Sequence, residues 1–283
     1  MEPSFTISPG SYIAPGIGWL NTNAHAVFSV ITTVVEAMLS AVQGALTALP
    51  AGALIAVAVI LATVFGKWRI GALTLGALGF CWAMGLWQKS MESLSLVIVS
   101  VLISVAIAFP LGVWAARNYT VRLTMRPILD IMQTVPPWVY LIPAVIFFSL
   151  GRTPALIATV IYGVPPMLRF TTLALTQVPI PFLELGKAVG ATKTTVLLKI
   201  ELPLAKPTLL VGLNQCILLS LSMVVLAGLV GAGGLGGEVT RGLTRMQLGI
   251  GLRSGLCIVA IALLLDRLSQ AALNRSPRRA KLS

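Results

Sequence analysis

Glu184-Leu-Gly-Lys-Ala-Val-Gly190-Ala191, followed nine residues after the glycine by Ile200-Glu-Leu-Pro203, is a polar stretch set between two very apolar ones. Pro179 and Pro181 suit the start of a helix, because a proline in the first turn loses no N–H that the helix needs. Glu184 and Lys187 are three apart and share a helix face. Gly190 can take a left-handed conformation and stop the helix. Thr192 can then cap a second short helix through Leu198. Pro203 and Pro207 mark the start of the next apolar run. The spacing predicts a short helix lying across the path of the chain, too polar to span a bilayer and exposed at its surface. The plain alternative is an ordinary amphipathic connector.

The order of these anchors is a glutamate, two small-to-medium apolar residues, three residues, a glycine, nine residues and Ile-x-Leu-Pro. It resembles the coupling loop of ABC importer permeases, E-A-A-x3-G-x9-I-x-L-P. Leu185 and Gly186 stand where that family has Ala-Ala; every other anchor is in place. The resemblance implies a cytoplasmic loop in which Glu184, Leu185, Gly186, Lys187, Ala188, Gly190 and Ala191 couple the chain to an ATPase. Five further stretches resemble the glycine betaine and proline betaine permeases. They are Met132-Gln-Thr134, Tyr140-Leu-Ile-Pro143, Leu219-Ser-Leu-Ser-Met-Val-Val225, Gly231-Ala-Gly-Gly-Leu-Gly236 and Asp266-Arg-Leu-Ser-Gln270. The similarity covers the chain from about residue 25 to 272.

That resemblance implies an all-α type I permease fold in the bacterial cytoplasmic (inner) membrane. One chain would make half a pore, most simply of a homodimer. Two ATPase subunits would dock on the two coupling helices, and an extracytoplasmic binding protein would deliver a compatible solute. ATP and Mg²⁺ would be held by the ATPase, with no cofactor or metal in this chain and no catalysis by it. Hydrolysis would reach the pore as rigid-body movement of helices.

Composition alone says membrane protein. Hydrophobic residues make up 57% and charged residues 10%, mean hydropathy is +0.95, and soluble domains carry about 25% charge. The net charge of +12 falls in short clusters between apolar runs, as the positive-inside rule expects of a membrane protein, and does not point to nucleic acid. Cys81, Cys216 and Cys257 all lie in apolar segments, with no metal or disulfide spacing. His25 is the only histidine, which excludes a histidine metal cluster. Residues 1–24 lack Lys and Arg and carry Pro3, Pro9, Gly10, Pro15 and Gly16, the opposite of a signal-peptide n-region. They read as an interfacial segment, with Trp19 as an anchor to membrane lipid.

In order, residues 24–48 suit an amphipathic helix on the membrane or on the bundle. Seven spans follow, at about 51–66, 70–88, 93–116, 131–151, 153–176, within 207–237, and 249–271. Residues 1–89 are expected to form an N-terminal scaffold, of which residues 1–49 are expected to be peripheral to transport. Residues 90–271 are the expected permease core, and 272–283 a basic cytoplasmic tail. With the coupling loop placed inside, fifteen of the twenty Lys and Arg fall inside and five outside. This asymmetry predicts the N-terminus outside and the C-terminus in the cytoplasm.

Gly231-Ala-Gly233-Gly-Leu-Gly236 matches G-x-G-x-x-G, but a dinucleotide site needs a preceding strand and an acid about 20 residues on. An apolar run precedes it here and residue 256 is Leu, so a turn between the last two spans is expected. Asn214, Ser220, Ser222 and Met223, with Pro136 and Tyr140, are candidates for the translocation path or gate, because polar groups in a span face a cavity or a partner helix. Interhelical hydrogen bonding is the competing role for the polar ones. Trp138, Tyr140 and Tyr162 could form an aromatic cage for a quaternary ammonium group, or serve as interfacial anchors. Paired intramembrane carboxylates and a nucleophile–histidine pair are absent from the sequence. A secondary transporter or channel for a small polar or cationic solute, working without an ATPase, is the rival reading. A neighbouring coding region for an ATPase, or co-purification with one, separates the two.

Overall fold

The computed structural model describes residues 15–16, 18–20, 22–66 and 68–274, and among these the regular structure is all helical, with no strand. The basic tail from 275 onward, the first fourteen residues and Lys67 lie outside the described residues. From His25 onward, the described residues form these α-helices in order: α1 His25–Thr47, α2 Ala51–Gly66, α3 Trp68–Ala83, α4 Trp87–Arg117, α5 Tyr119–Thr134, α6 Leu141–Phe148, α7 Arg152–Thr176, α8 Ile180–Ala188, α9 Lys193–Val196, α10 Leu202–Ala227, α11 Gly234–Thr244 and α12 Leu248–Asn274.

Seven spans are not what length and composition return. Among the described residues, five helices are long and apolar enough to cross a membrane, or six if one bent pair counts as a span. The expected first two spans are α2 and α3, each of 16 residues. At 1.5 Å per residue each is about 24 Å long, short of the ~30 Å hydrocarbon core. The expected amphipathic helix, α1, is itself one of the five.

The expected span at 131–151 is the bent pair: α5 and the stretch Pro137–Phe148 meet at 103°. The cause is Pro136-Pro137. Val135, ahead of a proline, takes an extended conformation, φ −67° and ψ 127°. Pro136 has no N–H, so the carbonyl of Met132 loses its helical partner. The Tyr140 hydroxyl donates to that carbonyl at 2.6 Å. The break is therefore stapled by a side chain from the turn that follows it, a 3-10 helix over Pro137–Tyr140.

The centre of the bundle is α7, held between α4 and α10. Small residues permit the approach. A Cβ on Gly163 would sit 2.9 Å from Ser104 Oγ and 3.1 Å from Cys216 Sγ, one neighbour on each flanking helix. All three cysteines are buried and free.

The N-terminal helix joins this core. Val35 and Leu39 of α1 belong to the main apolar cluster with residues of α4, α7, α10 and α12. Phe28 stacks on Phe147 at 4.9 Å between centroids and meets Phe148 edge-on at 5.3 Å. Glu36 pairs with Arg152 and accepts from Thr153 Oγ1 at 3.3 Å, while Arg152 Nη1 donates to Gln43 at 2.9 Å. Glu36 lies in a helix apolar enough to span a membrane, and its partner is the first residue of α7.

Candidate functional site

The coupling stretch folds as a handle. α8 starts behind Pro179, which adopts an extended φ/ψ, and ends at Val189. Gly190 follows at φ +69°. Its N–H donates to Lys187 O at 3.0 Å, and Ala191 N–H donates to Gly186 O at 2.9 Å. This paired arrangement is a Schellman cap, which satisfies the last carbonyls of the helix and turns the chain sharply. Thr192 then caps α9, its Oγ1 accepting from Thr195 N–H at 3.2 Å.

The second short helix does not end near Leu198 as the sequence suggested. A π-helical turn over Leu197–Glu201 carries it into α10, and the helical path is continuous from Lys193 to Val230. Leu202 N–H bonds five residues back, to Leu197 O. This widened turn sits where Pro203 enters the first turn of α10, a position at which the missing N–H is tolerated.

Gly186, one of the two departures from Ala-Ala, is the only buried residue of α8. A Cβ there would lie 2.9 Å from Ile200 Cδ1 and 3.0 Å from Val196 Cγ2. The glycine lets α8 settle on the π turn. Its neighbours face outward: Glu184, Lys187 and Ala188 are exposed, as are Ile180, Phe182, Leu185 (59%) and Val189 (72%). The nine-residue helix thus displays three large apolar side chains beside a glutamate, with Val189 a fourth just past its end, an exposed apolar patch of the kind that marks interaction surfaces. Glu184 makes no ion pair or hydrogen bond among the described residues.

Sequence reasoning passed over Glu201, the variable position of Ile-x-Leu-Pro. It is 2% exposed and pairs with Arg117, the last residue of α4. The handle is thereby tied to α4 as well as continuous with α10. Its signal was present in the sequence as a carboxylate at the point where the polar stretch gives way to the next apolar run, where a buried charge needs a partner.

The path candidates scatter. Asn214 donates to Asp266 Oδ1 at 3.1 Å and accepts from Ser269 Oγ, both on α12; Gln270 donates to the same carboxylate at 2.8 and 2.9 Å. Asn214 thus serves interhelical bonding. Ser220 is buried beside Gly163, its Oγ without a hydrogen-bond partner, and Met223 is fully buried in the main core. Ser222 is exposed and donates to Leu218 O at 3.1 Å. Pro136 is exposed at the break that Tyr140 staples. Ser222 shares the open face of α10 with Val211 and Gln215. A cleft of about 320 Å³ beside that face is lined by Gln133, Pro166, Arg169, Phe170, Gln215 and Leu219, among others. Tyr140 and Tyr162 lie 6.5 Å apart at 45°, and Trp138 is exposed.

The glycine-rich stretch opens α11. The amides of Gly234 and Leu235, free donors at a helix N-terminus, are taken by Glu92 Oε2 and Ser93 Oγ, both at 2.8 Å. The carboxylate of α4 thus stands where a dinucleotide fingerprint would hold phosphate. No cluster of three or more metal-ligating side chains occurs among the described residues.

Residues 108–279 match the family described as binding-protein-dependent transport system inner membrane component. The glycine betaine/proline betaine transport system permease protein ProW of Escherichia coli is 39% identical over 261 residues, 92% of this chain and 74% of that protein. The glycine betaine/carnitine transport permease protein GbuB of Listeria monocytogenes is 38% identical over 259 residues, 88% of this chain and 90% of that one. The glycine betaine transport system permease protein OpuAB of Bacillus subtilis is 46% identical over 187 residues, 66% of each. In fold, the chain is similar to a structure of the methionine ABC transporter MetNI in an inward-facing conformation. The TM-score is 0.60 at 22% identity, over 66% of this chain and 94% of that one. With residues 108–279 matched to the family and relatives of 38–46% identity covering most of the chain, the chain belongs to the multi-pass inner membrane permeases of binding-protein-dependent, ATP-binding-cassette importers.

Proposed function

We propose that this chain is the membrane-spanning subunit of a betaine importer, working as a homodimer with two cytoplasmic ATPase subunits and an extracytoplasmic binding protein. The observation that carries the ATPase coupling is α8: a capped handle with one buried glycine, an exposed Glu184 and an apolar outer face. Leu185, Lys187, Ala188 and Ala191 complete the surface that the ATPase would grip. ATP and Mg²⁺ belong to that partner. The open face of α10, with Gln215 and Ser222, is suited to face a second copy across the path. The names of the relatives support glycine betaine, proline betaine or a similar quaternary ammonium solute as the cargo. Counted over seven crossings, the charge asymmetry supports α8 and the C-terminus inside and the N-terminus outside.

The test is uptake into proteoliposomes. The chain is co-purified with its ATPase and supplied with binding protein and labelled glycine betaine. Uptake that requires both ATP and the binding protein supports the importer. Uptake by the chain alone, driven by an ion or solute gradient, overturns it in favour of a secondary transporter.

A further inference from the structure

A cleft of about 190 Å³ lies where α5 crosses the ends of α4 and α7, on the side of the bundle from which α7 leads into α8. Three guanidinium groups line it: Arg122 and Arg126, one turn apart on α5, and Arg169 on α7. One carboxylate answers them among the described residues, Asp130, which pairs with Arg169. Arg122 lies over the ring of Tyr119 at 5.4 Å, a contact that uses the face of the guanidinium and none of its N–H donors. Arg126 is exposed and has neither ion pair nor hydrogen bond among the described residues. The cleft therefore holds two more positive than negative charges.

The other wall is apolar, formed by Met125, Leu129, Leu168 and Leu173. Two threonines reach the cleft, but their protons are spent. Thr172 Oγ1 donates to Leu168 O at 3.0 Å and Thr176 Oγ1 to Thr172 O at 2.9 Å. The donors left to a ligand are the arginines, so a charge-dense acceptor is favoured over a neutral polar one. Guanidinium forks match the oxygens of phosphate. At about 30 Å³ per water-sized atom, the volume holds roughly six such atoms, the size of a phosphate group with its oxygens.

We propose that this cleft is a phosphate-binding site, filled by the phosphodiester of an anionic phospholipid. Basic pockets between membrane helices hold lipid head groups in this way. The apolar wall beside the arginines would receive the start of an acyl chain, which a free phosphate ion cannot use. The proposal depends on the chain lying in a membrane and not on its cargo or its ATPase.

The test uses the purified full chain in neutral detergent and measures no transport. Native mass spectrometry follows the binding of phosphatidylglycerol and phosphatidylcholine to the wild type, to R126Q and to R122Q/R126Q. A second arm titrates inorganic phosphate by calorimetry. Each arginine at an anionic surface contributes about 1 kcal/mol, a factor of about five. Phosphatidylglycerol should bind in preference to phosphatidylcholine, about fivefold more weakly in R126Q and about thirtyfold more weakly in the double variant. Arg126 has no structural partner to lose, so helical content and melting temperature of R126Q should match the wild type. Binding of inorganic phosphate with the same arginine dependence, and no preference for phosphatidylglycerol, would keep the phosphate site and overturn the lipid as its source. Equal lipid binding by all three proteins, with no heat from phosphate, would overturn the site itself.

Discussion

Replacing Gly190 separates backbone conformation from space at the coupling handle. The residue sits at φ +69°, and a Cβ built on it meets nothing within 4 Å. The whole effect of a side chain is thus the cost of the left-handed region, about 1–2 kcal/mol for an L-residue, and more for a β-branched one that is stiff at χ1. By the tenfold-per-1.4 kcal/mol relation, alanine should reduce the share of chains holding the Schellman cap about five- to thirtyfold against an unwound end. Valine should reduce it further, and asparagine, which tolerates this region, should reduce it least. The cap sets the angle at which α8 leaves the bundle, so ATPase stimulation by loaded binding protein should fall in the order Gly, Asn, Ala, Val. Uptake and hydrolysis are measured on the same proteoliposomes, with membrane insertion as the control. Equal stimulation in all four proteins would refute the coupling role of the cap. A loss in Gly190→Asn as large as in Gly190→Val would show that space, not φ, governs the site.

Glu184→Ala removes an exposed charge with no partner among the described residues; it should leave insertion intact and weaken ATPase co-purification by about tenfold or more, as losing one side of a buried interfacial charge pair does, whereas unchanged co-purification would make the glutamate dispensable. Tyr140→Phe leaves the Met132 carbonyl without its donor and should cost about 1–3 kcal/mol, seen as a lower melting temperature; an unchanged melt would mean that the break holds without its staple. Glu36→Gln should lower stability by about 1 kcal/mol, the scale of interhelical polar contacts in membranes, and deletion of residues 1–49 should lower it far more, since Val35 and Leu39 leave the core; a truncated chain that melts like the full one would show that α1 adds nothing to the stability of the bundle. Ser276→Cys should react with an impermeant thiol reagent only after the cells are opened, and labelling in intact cells would invert the proposed topology.

The local chemistry of the handle was legible because each step uses neighbouring residues. Proline at the start, glycine at the stop and threonine at the next cap all act within one or two turns. What the sequence hid were relations between helices. Glu36 read as one polar residue on an amphipathic stretch, yet it is paired with Arg152, 116 positions away. Asn214 read as a path candidate, and nothing local showed that Asp266 and Ser269 would claim it. Span counting failed for a related reason. Charge-free runs mark apolar chain and do not set how sharply it bends: the break of 131–151 at Pro136-Pro137 was legible, but the 103° angle between its halves was not.

The buried Glu201 shows how the handle acts on the bundle. A short helix docked only on its own π turn could swivel without moving anything else. Glu201 prevents this, because its pair with Arg117 fastens the root of the handle to the end of α4, while α10 continues the same helix into the core. Under the proposed coupling role, force applied to α8 would be delivered to α4 and α10 together, and these two helices clasp α7 through Gly163. Removing one partner of a buried pair strands the other, which costs about 3–5 kcal/mol, although the exposed side of Arg117 lets water offset part of it. Glu201→Gln should thus preserve ATPase binding, which uses the outer face of α8, and reduce uptake per ATP hydrolysed. Loss of ATPase binding itself would show that Glu201 merely holds the handle in shape.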